Sequence, residues 1–193
     1  MKEAIYGIQY TKIQKEVLHD LSQAYRNNRP YSYICLFGGG GSGKTFVLLD
    51  RVLLKAITCP GIVQYIIRNS FNDIKKNILT RDLPLLMQTP RYKDIYKHKD
   101  FSINGTDGTI KFPNGSVIIC RGAEVHNVGN ILGGNVSGIY FNECSEIDYS
   151  IPMQLIARNR ITPIVKGSIF KNPTKELACE MLFDFNPPLK SHW

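Results

Sequence analysis

The chain has 193 residues, 43% hydrophobic and 21% charged, with a formal net charge of +8. This length and composition exclude a disordered chain and predict one domain over residues 1–193, with a core large enough to need no disulfide or metal staple. Five scattered cysteines without a CxxC pair exclude a disulfide framework, and the positive balance favours a polyanionic partner, nucleic acid above all.

Taken in chain order, residues 12–27 space Ile13, Val17, Leu18, Leu21 and Tyr25 at helical intervals, and NNRP ends the predicted helix. No signal peptide is evident at the start, and no apolar run approaches the roughly 20 residues of a membrane span, so an intracellular protein without a membrane partner is expected. YSYICLF (31–37) has the pattern of a buried parallel strand. A helix over Thr45–Lys55 follows, with Val47, Leu48, Val52 and Leu53 on its inner side.

Between that strand and helix, GGGGSGKT (38–45) fits G-x-x-x-x-G-K-[ST]. Glycines let the backbone N–H groups turn inward around a phosphate, and the positive end of the next helix reinforces them. The candidate nucleotide-binding set is Gly38, Gly39, Gly40, Gly41, Ser42, Gly43, Lys44, Thr45 and Phe46. Lys44 is expected to reach the β- and γ-phosphates, and the Thr45 hydroxyl to bind Mg²⁺.

GIVQYIIR (61–68) predicts a second buried strand, and SFNDIKKNILTRDLPLLM a helix capped by Ser70. GTIKFPNGSVIICRG (108–122) reads as a β-hairpin around Pro-Asn-Gly. A third buried strand is expected over Ile139–Asn142, a helix near Pro152–Arg160, and a last strand in ACEMLFDFNPP. Strands alternating with helices give an α/β domain with a mainly parallel central sheet, flanked by helices and carrying a β-hairpin insertion. LKSHW follows directly on the last strand, so more polypeptide is expected beyond it.

Hydrolysis of a bound nucleotide needs metal support and a group that orients or deprotonates water. The strand GIYF leads into Asn142-Glu143. Asn142 stands on the expected metal side, where it can act only through water, and Glu143 is the candidate base. Glu146 is the alternative register. A helix-capping role for Asn142-Glu143 is the competing structural reading.

These residues, in order, resemble the ATPase half of bacteriophage terminase large subunits, the motors that package viral DNA. QYTKIQKEVL resembles the element that contacts adenine, with Gln14 as first choice and Gln9 as second, within an N-terminal helical segment over 1–30. IIRNSFNDIKKNI resembles the family's arginine-bearing strand end and following helix. The stretch from IICRG to NECSEI resembles its passage from hairpin to acidic strand. FDFNPPLKSHW resembles the coupling motif, in which Asn186 would sense the γ-phosphate.

The resemblance implies a P-loop NTPase of the RecA-like, ASCE class, with ATP and Mg²⁺ as cofactors. It implies a motor that drives double-stranded DNA into a procapsid, as a homo-oligomeric ring working with the portal protein and the terminase small subunit. It also implies action in the host cell cytoplasm, with the family's nuclease half absent from these residues.

Two positions depart from the family pattern: Asn142 replaces an expected Asp, and Gly40 stands where many relatives carry Arg. A transition-state arginine must then come from elsewhere, with Arg68, Arg158 and Arg160 as candidates. The alternatives are a nucleotide-gated DNA-binding or assembly module with weak turnover, and another P-loop DNA helicase or repair ATPase. The helicase reading predicts a second P-loop-like domain, for which the chain is too short. His126 is expected to pack in a loop, Asp107 and Asp148 to serve turns or caps, and Tyr31, Tyr33, Tyr140 and Phe141 to sit in the core or at the sheet edge.

Overall fold

In the computed structural model, which describes residues 10–24, 31–124, 134–164 and 176–187, the apolar runs pair into one seven-stranded sheet. The strands are β1 (Tyr31–Phe37), β2 (Val63–Arg68), β3 (Ser102–Asn104), β4 (Thr109–Lys111), β5 (Val117–Gly122), β6 (Gly138–Phe141) and β7 (Cys179–Phe185). Their order is β1-β7-β6-β2-β5-β4-β3. The first five in that order run parallel, and β4 and β3 extend the sheet antiparallel.

Side chains that alternate along each central strand enter opposite cores. Ile66, Tyr140 and Leu182 face helix α2 (Lys44–Thr58), while Tyr65, Ile67, Ile139, Phe141 and Met181 face α5 (Ser150–Ile156). Both faces are therefore covered, which is why β2, β6 and β7 read as near-continuous apolar runs. β1 differs from the buried strand its sequence predicts. It pairs only with β7 among the described strands, and Tyr33 and Phe37 are largely exposed.

α1 (Lys12–Ala24) starts at a reciprocal cap. The Gln14 backbone N–H donates to Thr11 Oγ1 (3.3 Å), and the Thr11 N–H donates to Gln14 Oε1 (2.9 Å). Thr11-Lys12-Ile13-Gln14 thus carries a helix-start signal of its own.

The helix predicted after β2 forms over 71–87 (α3), but its centre, Ile74–Asp82, is π-helical between α-helical Phe71–Asp73 and Leu83–Met87. The buried residues Ile74, Ile78, Leu79 and Leu83 recur at steps that suit the wider turn. Ser70 precedes the helix without making a capping bond, contrary to expectation. A short helix, α4, spans Lys93–Tyr96. The predicted hairpin forms as β4–β5, and β3 adds a strand that had no clear alternation to announce it. α5 ends at Ile156, short of the predicted Arg160.

Candidate nucleotide site

Gly38, Asn142 and Asn186 each directly follow a parallel strand, at the C-terminal ends of β1, β6 and β7. Parallel α/β sheets bind ligands at this edge, because the strands stop there and helices begin. The register sets Leu36 beside Asp184 and Phe141 beside Phe183, so the three strand ends converge.

A cavity of about 300 Å³ opens there, walled by Gly40–Phe46, Arg81, Asp82, Glu143 and Asn186. Gly43 has φ 80°, a conformation that favours glycine, and the Gln14 amide occupies the space a Cβ would take, 2.3 Å from Nε2. Gln14 Nε2 donates to the Gly43 carbonyl at 3.4 Å, joining α1 to the loop. A Cβ on Gly40 would meet nothing within 4 Å.

Lys44 Nζ donates to the carbonyls of Gly38 (2.7 Å) and Gly39 (3.1 Å) and to Asn186 Oδ1 (3.1 Å). The Asn186 amide in turn donates to both carboxylate oxygens of Glu143, each at 3.2 Å. The Asn186 backbone N–H adds a bond to Glu143 Oε2 at 3.3 Å. One asparagine therefore connects the loop lysine to the candidate base.

Glu143 lies in the left-handed region, with φ 50° and ψ 54°, the one non-glycine residue with positive φ among the described residues. Such a conformation persists only where the surroundings enforce it. Here the Glu143 N–H donates to Asp184 Oδ1 at 2.7 Å while its side chain is held by Asn186.

Asp184, fully buried on β7, organises the floor of the site. It accepts from the Thr45 hydroxyl (2.8 Å), the Tyr140 hydroxyl (2.7 Å) and Asn142 Nδ2 (3.0 Å to Oδ1 and 3.2 Å to Oδ2). Burial, followed by the neighbouring Asp184 charge, pushes the Tyr140 hydroxyl well above its ordinary value, so it remains a donor. Asn142 turns its carbonyl oxygen to Arg68 Nη1 at 3.0 Å.

Residues 35–177 match the family described as "Terminase large subunit, T4likevirus-type, N-terminal". The chain belongs to this terminase family. Comparison with curated protein sequences returns no significant match. Among solved structures, the large terminase of a thermophilic bacteriophage aligns with a TM-score of 0.65 at 18% identity, over 95% of this chain and 41% of that one. The large terminase ATPase domain of Thermus phage P74-26 gives 0.61 at 13%, over 97% and 69%. The HK97 bacteriophage large terminase gives 0.62 at 12%, over 92% and 33%. The terminase-family chain therefore spans about two fifths of the length of the first of these proteins and shares its P-loop, ASCE-class fold.

The residues singled out in the sequence of this terminase chain fall into groups. Gly40–Phe46, Glu143 and Asn186 line one cavity, with Gly38 and Gly39 touching its lysine. Gln14 touches the loop from outside and lines a smaller hollow of about 120 Å³ with Ile13, Val17, Leu36, Phe37 and Val47. Gln9 and His126 lie outside the described residues.

Arg68 packs against Asn142 and reaches Glu146 Oε2 at 3.8 Å, so both of its visible partners belong to the turn after β6. Arg158 and Arg160 neighbour Val136 and Asn135, at the opposite end of β6 from Asn142. Asp107 and Asp148 accept from Thr109 and Ser150 in local turns, as expected.

Three functional candidates were missed in the sequence: Arg81, Asp82 and Asp184. Arg81 and Asp82 reach the cavity because the helix after β2 runs back past the loop; their pairing at 2.7 Å is local. Asp184 carried a legible signal: Glu180, Leu182 and Asp184 alternate on one face of an otherwise apolar strand.

Proposed function

We propose that this chain is the ATP-hydrolysing motor domain of a viral DNA-packaging terminase, coupling hydrolysis to translocation of double-stranded DNA into a procapsid. The observation that carries the reading is the connected set Lys44–Asn186–Glu143 around the phosphate-loop cavity. Support comes from the large terminase of the thermophilic bacteriophage, which has been crystallised with ATP-gamma-S and with ADP.

Backbone N–H groups of the loop and Lys44 would receive the phosphates. The Thr45 hydroxyl and the Asp184 carboxylate bonded to it are hard oxygen groups of the kind that suits Mg²⁺. When bound, Mg²⁺ would neutralise charge on the β- and γ-phosphates. Glu143, fixed by Asn186 and by its own strained backbone, would accept the proton of the attacking water. Asn186 touches both that base and Lys44, so a change at the γ-phosphate would reach β7 through it.

Arg81 is the described arginine lining the cavity, and it would supply the positive charge absent at Gly40. Arg68 would hold Asn142 in register. The apolar hollow beside Gln14 would receive the adenine. The net charge of +8 suits a DNA partner, and a homo-oligomeric ring acting with portal and small subunit in the host cell cytoplasm completes the reading.

The test is steady-state phosphate release by wild type, Lys44→Ala and Glu143→Gln, with and without double-stranded DNA. Wild type is expected to turn over, Lys44→Ala to lose binding, and Glu143→Gln to bind ATP while losing roughly 10²–10⁴-fold in rate. Wild-type release no greater than that of Lys44→Ala would defeat the motor reading. ATP binding without turnover would favour the nucleotide-gated module instead.

A further inference from the structure

We infer that Asp184 provides the metal-side carboxylate that Asn142 cannot, so the negative charge of this site has moved from the end of β6 to the neighbouring strand β7. The inference rests on the ATPase reading and adds to it a residue with a positioning role. It begins from chemistry: Asn142 is neutral, and it is not available to turn its oxygen toward Thr45. Its Oδ1 accepts from Arg68 at 3.0 Å, and its Nδ2 points to Asp184 and, at 3.4 Å, to Thr45 Oγ1.

A threonine hydroxyl has one proton and two lone pairs. Thr45 gives its proton to Asp184 Oδ2 at 2.8 Å and one lone pair faces the Asn142 amide at 3.4 Å, which leaves the second lone pair for a cation. The carboxylate thus sets the direction of the hydroxyl and adds a full negative charge directly behind it. A buried carboxylate is costly unless hydrogen-bonded. Asp184 is fully buried, and the groups that surround it are all donors: two hydroxyls, the Asn142 amide and the Glu143 N–H.

Position supports the same assignment. β7 lies between the loop-bearing strand β1 and β6, so its end is the nearer of the two to Thr45. Asn142 and Asp184 touch across that strand pair at 3.0 Å, which makes the two positions exchangeable by swapping one amide for one carboxylate. The same closeness has a corollary. Asn142→Asp alone sets two carboxylates side by side, a repulsive pair in which one must take up a proton.

The experiment measures ATP affinity with Mg²⁺ and with EDTA, for the full chain as wild type, Lys44→Ala, Asp184→Asn and the swapped double variant Asn142→Asp/Asp184→Asn. Circular dichroism melts in EDTA check folding. Wild type should bind ATP more tightly with Mg²⁺. Asp184→Asn should lose roughly 10–100-fold of that tightening, the range seen when outer-shell metal partners are removed, while its affinity in EDTA holds or improves. The swap should recover most of the tightening, which a merely structural role for Asp184 would not predict.

Asp184→Asn with the wild-type Mg²⁺ ratio overturns the inference. So does a folded swap with no recovered ratio, and if Asp184→Asn alone does not fold, the swap decides. Wild type that binds ATP no better than Lys44→Ala in either buffer overturns the ATPase reading itself, a result distinct from the other two.

Discussion

Glu143 joins two demands that seldom meet in one residue, a left-handed backbone and a fixed carboxylate. Asn tolerates that backbone, whereas a β-branched residue does not. Glu143→Asn is therefore expected to fold as well as wild type in thermal melts while losing hydrolysis. Glu143→Ile should cost about 1–2 kcal/mol more in the same assay. Gly40 is the complementary case, because a side chain there meets open space. If Arg81 supplies the missing charge, Arg81→Ala should slow phosphate release at least about tenfold, and adding Gly40→Arg should restore part of that rate. At this scale the sequence was informative where backbone and side chain are local, as in the loop, Glu143 and Asn186. It was silent on Arg81, whose approach depends on the path of α3, and it marked Asp184 only as a polar residue in an apolar strand, because its role depends on which strand neighbours β6.

At the level of elements, α2 and β7 face each other along their lengths. Glu180, Leu182 and Asp184 all turn to α2, where Arg51 and Lys55 answer Glu180 and Thr45 answers Asp184. Arg51 also donates to the Val17 carbonyl of α1. Burial alone would raise the Glu180 carboxyl, but Arg51 and Lys55 outweigh it and hold the group below its usual range. A carboxylate depressed in the folded state stabilises above its unfolded value, and that contribution disappears as pH falls through the lower one. Glu180→Gln is expected to cost about 3–5 kcal/mol at neutral pH, since it strands two buried cations.

Lys55 makes the pH profile of that variant diagnostic. Its ammonium is already lowered by burial, and losing Glu180 removes an attraction that opposed the shift. A lysine depressed in the folded state binds fewer protons there than when unfolded, so stability rises with pH between the two values. Melts from pH 7 to 10 should show Glu180→Gln recovering toward wild type. α1 offers a second contrast. Gln14→Glu keeps an oxygen for the Thr11 N–H and so should preserve the helix cap, but it removes the donor to Gly43. Unchanged melting with weakened ATP binding would separate the site role of Gln14 from its capping role. The central strands and every helix but the short α4 were legible from periodicity. The π-helical centre of α3 was not, because its burial pattern follows packing against the sheet rather than any local residue preference.

Across the whole molecule, the parallel sheet brings distant residues to one edge, where Lys44 bonds Asn186 across 142 positions of sequence. Sequence order could announce an α/β sheet but not the strand order β1-β7-β6, and that order decides which carboxylate stands behind Thr45. The pairing of α2 with β7 has a mechanical consequence. These elements are pinned at two separated points, Thr45–Asp184 and Arg51/Lys55–Glu180, with Leu182 packed between. A strut fixed at both ends neither pivots nor slides against its partner. Displacing α2 from β7 therefore means breaking both pins together, so the spacing of Thr45 and Asp184 is guarded from the far end by Arg51, Lys55 and Glu180.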